Sequence, residues 1–144
     1  MSVIQFTSAE EYLGAEWATA IYLPHKSTDC WIFPQLEVST LGDIRWTYDL
    51  KNGTRAGKAP RVRTRREQSG YNKDYLLITG LADSNGTVRQ NLSIHRFVLS
   101  TFDPDGYKAG LEVHHINEIQ DDNRLGNLQW LSGKQNLAIR DSKH

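Results

Sequence analysis

The stretch LEVHHINEIQDDNRLGNLQWLSGKQN, residues 111–136, sets His114 and His115 side by side ahead of Asn123, Asn127 and Asn136. LEVHHI reads as a strand, and neighbouring strand residues face opposite sides. The two imidazoles therefore meet different surroundings. One can face a metal while the other faces a reactant, or one can pack while the other is solvated. A polar turn follows, NLQWLS reads as a second strand, and Ser132 with Gln135 three residues on makes a capping box for a closing helix. Little chain remains after Arg140, so that helix is short or frays at its end. A closed zinc centre needs four ligands, mostly cysteine or histidine. The stretch offers no such set, and the only cysteine of the chain is Cys30.

The chain has 144 residues, near the size of one domain, and 38% of them are apolar. A mean hydropathy of −0.58 predicts small cores and a hydrated surface. One cysteine excludes an intrachain disulfide. No apolar run approaches the roughly 18 residues of a membrane span. MSVIQFTSAEE lacks the basic and apolar regions of a secretory signal, so the expected location is the cytoplasm. The net charge of zero hides an uneven distribution. Residues 1–44 carry a balance of −5, residues 45–73 one of +7, and residues 74–144 one of −2. By itself the middle block reads equally as a solvated face or as a place for a polyanion.

The other elements follow from local pattern. Ser8 and Glu11 suggest a capping box, and Leu13, Trp17, Ala20 and Ile21 share a helical face that Pro24 ends. WIFPQLEVSTLGDIRWTY, residues 31–48, predicts two strands around Leu41-Gly42-Asp43. KNGTRAGKAPRVRTRREQSGYNK, residues 51–73, has few apolar anchors and reads as an exposed arm or long loop. Leu76 to Thr79 predicts one side of a hairpin that turns at Asn85-Gly86. A second helix is expected from about Ser93, with Ile94, Phe97, Val98 and Phe102 on one face, stopped by Asp103-Pro104-Asp105-Gly106.

The motif as a whole resembles the HNH nuclease family, in its phage and intron-encoded, homing-type branch. The matching run is Val113-His114-His115-Ile116, the Asn123-Arg124 turn, Asn127-Leu128-Gln129-Trp130, and Gln135-Asn136. Ile94-His95-Arg96-Phe97-Val98 and Phe102 are similar to the histidine-arginine element that precedes the family's ββα-metal motif. Glu37-Val38-Ser39-Thr40-Leu41-Gly42-Asp43-Ile44-Arg45 resembles, more partially, a small module often found before such nucleases. Thr40 stands there in place of the module's asparagine.

The resemblance implies an α+β protein with short hairpins and a C-terminal ββα-metal (His-Me finger) motif. Three segments are expected: a helical one over 1–30, a basic DNA-binding region with β-hairpins over 31–90, and the nuclease domain over 91–144. By the same resemblance His114 and Asn136 are metal ligands, His115 is the general base, and Asn127 ties the loop together as structural support. Asn123 is expected to hold backbone. Arg55, Lys58, Arg61, Arg63, Arg65 and Arg66 are expected along a DNA backbone, with Arg96 and Arg140 as further contacts; for Arg140 a solvated side chain is the competing reading. A duplex DNA partner, a phage or mobile-element origin and a host-cytoplasmic location are implied, without a membrane. No further helix-turn-helix is expected after residue 140.

The implied reaction is metal-dependent hydrolysis of a DNA phosphodiester. One motif makes one cut, so a monomer nicks while a homodimer cuts both strands. An imidazole with a near-neutral pKa suits a general base. Two neutral protein ligands leave the rest of a cation's shell to water and phosphate. Magnesium or manganese is the expected ion, and imidazole also admits zinc or nickel. The rival is a DNA-binding protein that keeps the HNH fold without catalysis.

Overall fold

The computed structural model describes residues 16–47, 57–64 and 76–141. Among them the first sheet is antiparallel, ordered β1 (Trp17–Tyr22), β2 (Trp31–Ser39), β3 (Ile44–Trp46). The expected helix over Trp17 to Ile21 is therefore a strand. The segment WATAIY alternates as well as it spirals: Ala20 and Tyr22 are buried, and Ala18, Ala20 and Tyr22 share one face of a pleat. Its aromatic and β-branched residues suit a strand. Pairing with β2 along its whole length, with a bulge between Thr19 and Ala20, decides the matter. Residues 1–15, which hold the rest of the expected helix, lie outside the described residues.

The turn between β2 and β3 falls where the sequence puts it. Ser39 Oγ accepts from Leu41 N–H at 3.3 Å and Asp43 N–H at 3.1 Å, and Gly42 takes a φ of +91°. A Cβ on Gly42 would lie 2.7 Å from the backbone carbonyl carbon of Asn123, so this turn sits directly on the polar loop after His115. Leu125 N–H donates to Thr40 C=O at 2.8 Å in the same seam. Gly42→Ala is expected to destabilise the protein by more than the roughly 1–2 kcal/mol of a left-handed backbone alone. Urea melts against wild type measure it, and equal stability would remove the turn from the contact.

The middle of the chain forms small sheets. The order is β4 (Arg63–Thr64), β5 (Leu76–Ile78), β8 (Leu92–Ser93) in one, and β6 (Leu81–Ala82) with β7 (Val88–Arg89) in another. Asn85-Gly86 makes its turn, but between β6 and β7; Leu76 to Ile78 pairs with β4 and β8. Arg63 and Thr64 are thus strand residues, not part of a free arm. Trp46 N–H donates to Lys58 C=O at 2.8 Å, and Pro60 is buried, so the described part of the basic block lies against the fold. Backbone pairing supplies the anchoring that the block's few apolar residues do not.

Helix α1 (Ile94–Phe102) starts after Ser93 and buries Ile94, Phe97, Val98 and Leu99. It lies against β1, where Ile21 N–H donates to Thr101 Oγ1 at 2.9 Å and Leu23 N–H to Ser100 Oγ at 3.0 Å. Phe97 meets Phe33 and Tyr22 edge-on, with ring centroids 5.3 and 4.9 Å away. One apolar cluster joins Tyr22, Phe33, Leu76, Phe97 and Leu128, so all three expected segments contribute to a common core. On this base stand β9 (Leu111–His115), the polar loop, a 3₁₀ turn (Leu125–Asn127), β10 (Leu128–Ser132) and α2 (Gly133–Asp141).

Candidate active site

Strand β9 pairs antiparallel with β10, His115 opposite Leu128 and His114 opposite Gln129. The intervening loop has almost nothing apolar to bury, so side-chain hydrogen bonds hold it. Asn127 makes three of them. Its Oδ1 accepts from Asn117 N–H at 2.9 Å, and its Nδ2 donates to Asn117 Oδ1 at 2.9 Å and to Asp122 C=O at 2.8 Å. Asn117 Nδ2 donates to Asp122 Oδ2, and Arg124 grips both oxygens of Asp122. The Arg124 bonds hold the Asp122 carboxyl below the usual carboxylate range. Glu118, at φ +63°, closes the first turn of the loop by donating to His115 C=O.

The two histidines separate as strand alternation requires. His114 is half-buried and has no hydrogen-bond partner among the described residues. His115 points inward, and its Nε2 lies 2.8 Å from Asn123 Oδ1. An amide oxygen only accepts, so Nε2 carries the proton and Nδ1 keeps the lone pair. Asn123 is itself fully buried, and the sequence signalled only that it holds the turn. Its side chain instead sets the tautomer of a histidine eight residues away.

The His95 ring from α1 stands 4.8 Å from the His115 ring at 60°. Part of the His95 residue reaches solvent, yet its Nδ1 is buried. Burial holds the His95 imidazole well below its usual pKa, with neighbouring His115 and Arg96 adding to the effect. Burial also lowers His115; the bond to Asn123 and the negative charges of Asp122 and Asp121 work against that, and His114 works with it. Both rings are held towards the neutral form.

Helix α2 opens with the expected capping box: Gln135 N–H donates to Ser132 Oγ at 3.1 Å, and Ser132 N–H to Gln135 Oε1 at 2.8 Å. One turn on, Asn136 Nδ2 donates to Glu112 Oε1 at 3.1 Å. Glu112 and His114 alternate on β9 and share a face, so Asn136 reaches the side of the strand that carries His114. Glu112 is not among the expected site residues; its place two residues before His114, on the same strand face, is the one signal of it in the sequence. Glu112, Asn136 and His95 line a cleft of about 580 Å³ that also reaches Trp31 and His25.

Among the described residues no three His, Cys, Asp or Glu side chains cluster as a metal cage. One imidazole and one amide oxygen remain, with a carboxylate beside them. Such a set fits a hard divalent ion that keeps most of its shell for water and phosphate. It does not fit a closed zinc centre.

Arg96 is not a surface residue. It is 7% exposed, donates to Leu23 C=O and, at 2.9 Å, to Leu111 C=O, and lies near the Tyr107 and Trp130 rings. The expected DNA contact is corrected to a strut that ties α1 to β9 and to the chain after β1. Arg45, the first cation of the +7 block, pairs with Glu37 at 2.9 Å and covers the Trp17 ring. Lys58 and Arg61 are exposed. Arg55, Arg65 and Arg66 lie outside the described residues, as do the side chains of Arg63 and Arg140.

Two strands joined by a polar loop, a paired imidazole on the first, and a helix bringing an amide to the same strand form a ββα arrangement. Residues 93–138 match the model of the HNH endonuclease family. The fold is similar to that of the HNH homing endonuclease I-HmuI, solved in a study of DNA binding and cleavage, with a TM-score of 0.59 and 24% identity. The match covers 89% of this chain and 59% of that one, so the chain spans under two thirds of the length of the protein it resembles. No curated protein matches the chain in sequence.

Proposed function

We propose that the protein is an endonuclease that hydrolyses phosphodiester bonds of double-stranded DNA with a divalent cation, magnesium or manganese before zinc or nickel. The observation that carries this reading is His115: a buried imidazole, kept neutral, with its tautomer set by Asn123, inside an HNH motif. With Nε2–H committed to Asn123, Nδ1 takes a proton from the attacking water. Asn123 keeps the ring from turning as its charge changes. His114 and the Oδ1 of Asn136 would hold the cation. When bound, that ion supplies positive charge to the phosphate and to the departing 3′ oxygen. Asn127, with its three bonds, keeps the loop from collapsing onto His115, and Arg96 fixes α1 so that His95 backs the ring.

One such site makes one cut, so a monomer nicks and a homodimer breaks both strands. Supercoiled plasmid incubated with magnesium, with manganese and with EDTA tests the reading. Conversion to open circles in the first two and not the third is expected. Intact plasmid under all three conditions, with DNA still bound, overturns the enzyme and leaves a non-catalytic DNA-binding protein. The reading carries a host-cytoplasmic site of action and a phage or mobile-element origin with it.

The basic block is the proposed track for the DNA backbone. Exposed Lys58 and Arg61 are its described part, with Arg55, Arg63, Arg65 and Arg66 as neighbours in sequence. Phosphate contacts release counterions, and each contributes about 0.9 to the slope of log affinity against log salt. Replacing Arg61, Arg63, Arg65 and Arg66 together by alanine should lower that slope by up to about 3.6 and weaken unrelated duplexes alike. Fluorescence anisotropy across a salt series reads the slope. An unchanged slope takes the block out of the interface.

A further inference from the structure

We propose that Glu112 is a positioning residue for the cation site, turning the Asn136 side-chain amide so that its oxygen, not its nitrogen, is presented to the ion. The proposal rests on the endonuclease reading above and adds a residue to its site. An asparagine amide has nearly the same shape in its two flipped orientations, yet only one offers an oxygen to a cation. The other offers N–H groups, which repel it. Something must choose between them.

Glu112 makes that choice. A carboxylate has only acceptors, so the group 3.1 Å from Glu112 Oε1 has to be the NH₂ end of Asn136. Oδ1 is then the amide atom turned from Glu112, and no described residue donates a hydrogen bond to it. The carboxylate is also held in place. It comes from β9, two residues before His114, on the face where the second ligand stands. Its oxygens lie 3.7 and 3.9 Å from where a Cβ would sit on Gly133, against the first turn of α2. Both residues are only partly exposed. The geometry therefore couples the strand that carries His114 to the helix that carries Asn136 through one charge-assisted bond. Partners that orient a ligand in this way are typically worth about 10- to 100-fold in metal affinity.

The test is Mn²⁺ binding to the full chain, followed by electron paramagnetic resonance without DNA, on wild type, Glu112→Ala, Glu112→Gln and Asn136→Ala. Thermal melts on the same samples check that each variant is folded. Glu112→Ala is expected to weaken Mn²⁺ by about 10- to 100-fold. Glu112→Gln keeps an acceptor oxygen for Asn136 Nδ2 and should recover most of that loss. Nicking rates at subsaturating manganese should follow the same order. Wild-type affinity in Glu112→Ala overturns the proposal. A Glu112→Gln protein as weak as Glu112→Ala overturns it too, because the carboxylate would then act through its charge or as a ligand. An Asn136→Ala protein indistinguishable from wild type removes the cation site itself, and the role of Glu112 falls with it. If Glu112→Ala does not fold, Glu112→Met, which keeps the length of the side chain and removes the acceptor, takes its place with the same expected loss and the same overturning result.

Discussion

Replacing His115 with alanine is expected to slow single-turnover nicking by about 100- to 10,000-fold, the usual worth of a placed proton acceptor. DNA affinity and Mn²⁺ affinity should stay near wild type, because the proposed reading gives the ion to His114 and Asn136 and the duplex to the basic block. The wild-type profile of kcat/KM against pH should rise as His115 loses its proton. Its midpoint is expected below the ordinary histidine value of about 6.5, since burial favours the neutral ring. The variant should lose that rise. His114→Ala should behave differently, losing metal affinity first and recovering part of its rate at high manganese. Asn123→Ala frees Nε2 and should lower the rate through the tautomer while DNA binding persists. A His115→Ala enzyme that nicks at the wild-type rate with the same pH profile would remove His115 from the chemistry.

Acidification is expected to destabilise the metal-free protein well before its carboxylates protonate. His95 and His115 are both held below their usual pKa in the fold, and burial is the first cause for each. In the unfolded chain they take up protons near pH 6.5. Below that pH the unfolded state binds more protons than the native one, so unfolding becomes easier as pH falls. Stability from the two neutral rings is complete above about pH 6.5 and is lost from there downward. The loss ends for each ring at its folded pKa. Two protons set a ceiling of about 2.7 kcal/mol per pH unit on the slope, and the smaller displacement of His115 keeps the slope below it. Asp122 acts lower, because its bonds to Arg124 keep it ionised below the usual carboxylate range. Urea melts in EDTA between pH 7.5 and 5 measure the slope. Stability that stays level across that range would mean the rings are not buried in neutral form.

Local chemistry made much of this protein legible in its sequence. The Ser132–Gln135 capping box, the Gly42 turn, the α1 face of Ile94, Phe97 and Val98, and the strand–loop–strand–helix order over 111–141 depend on neighbours within a few residues. Those neighbours are present in any conformation the chain samples. The strand, turn and capping residues within the run that matches the HNH family model belong to this class. Trp17 to Tyr22 shows the limit: its pattern satisfies helix and strand alike, and only the partner strand at Trp31–Ser39 chooses. Arg96 shows it again. A cation beside a histidine suggested a DNA contact, whereas the carbonyls of Leu23 and Leu111, supplied by distant segments, draw it inward. The same holds for Asn123 on His115, for Gly42 against Asn123 and for Glu112 on Asn136. Sequence determined which groups could accept, donate or coordinate. Packing of the common core decided which of them meet, because a hydrogen bond in an interior depends on ångström separations that residue spacing does not specify.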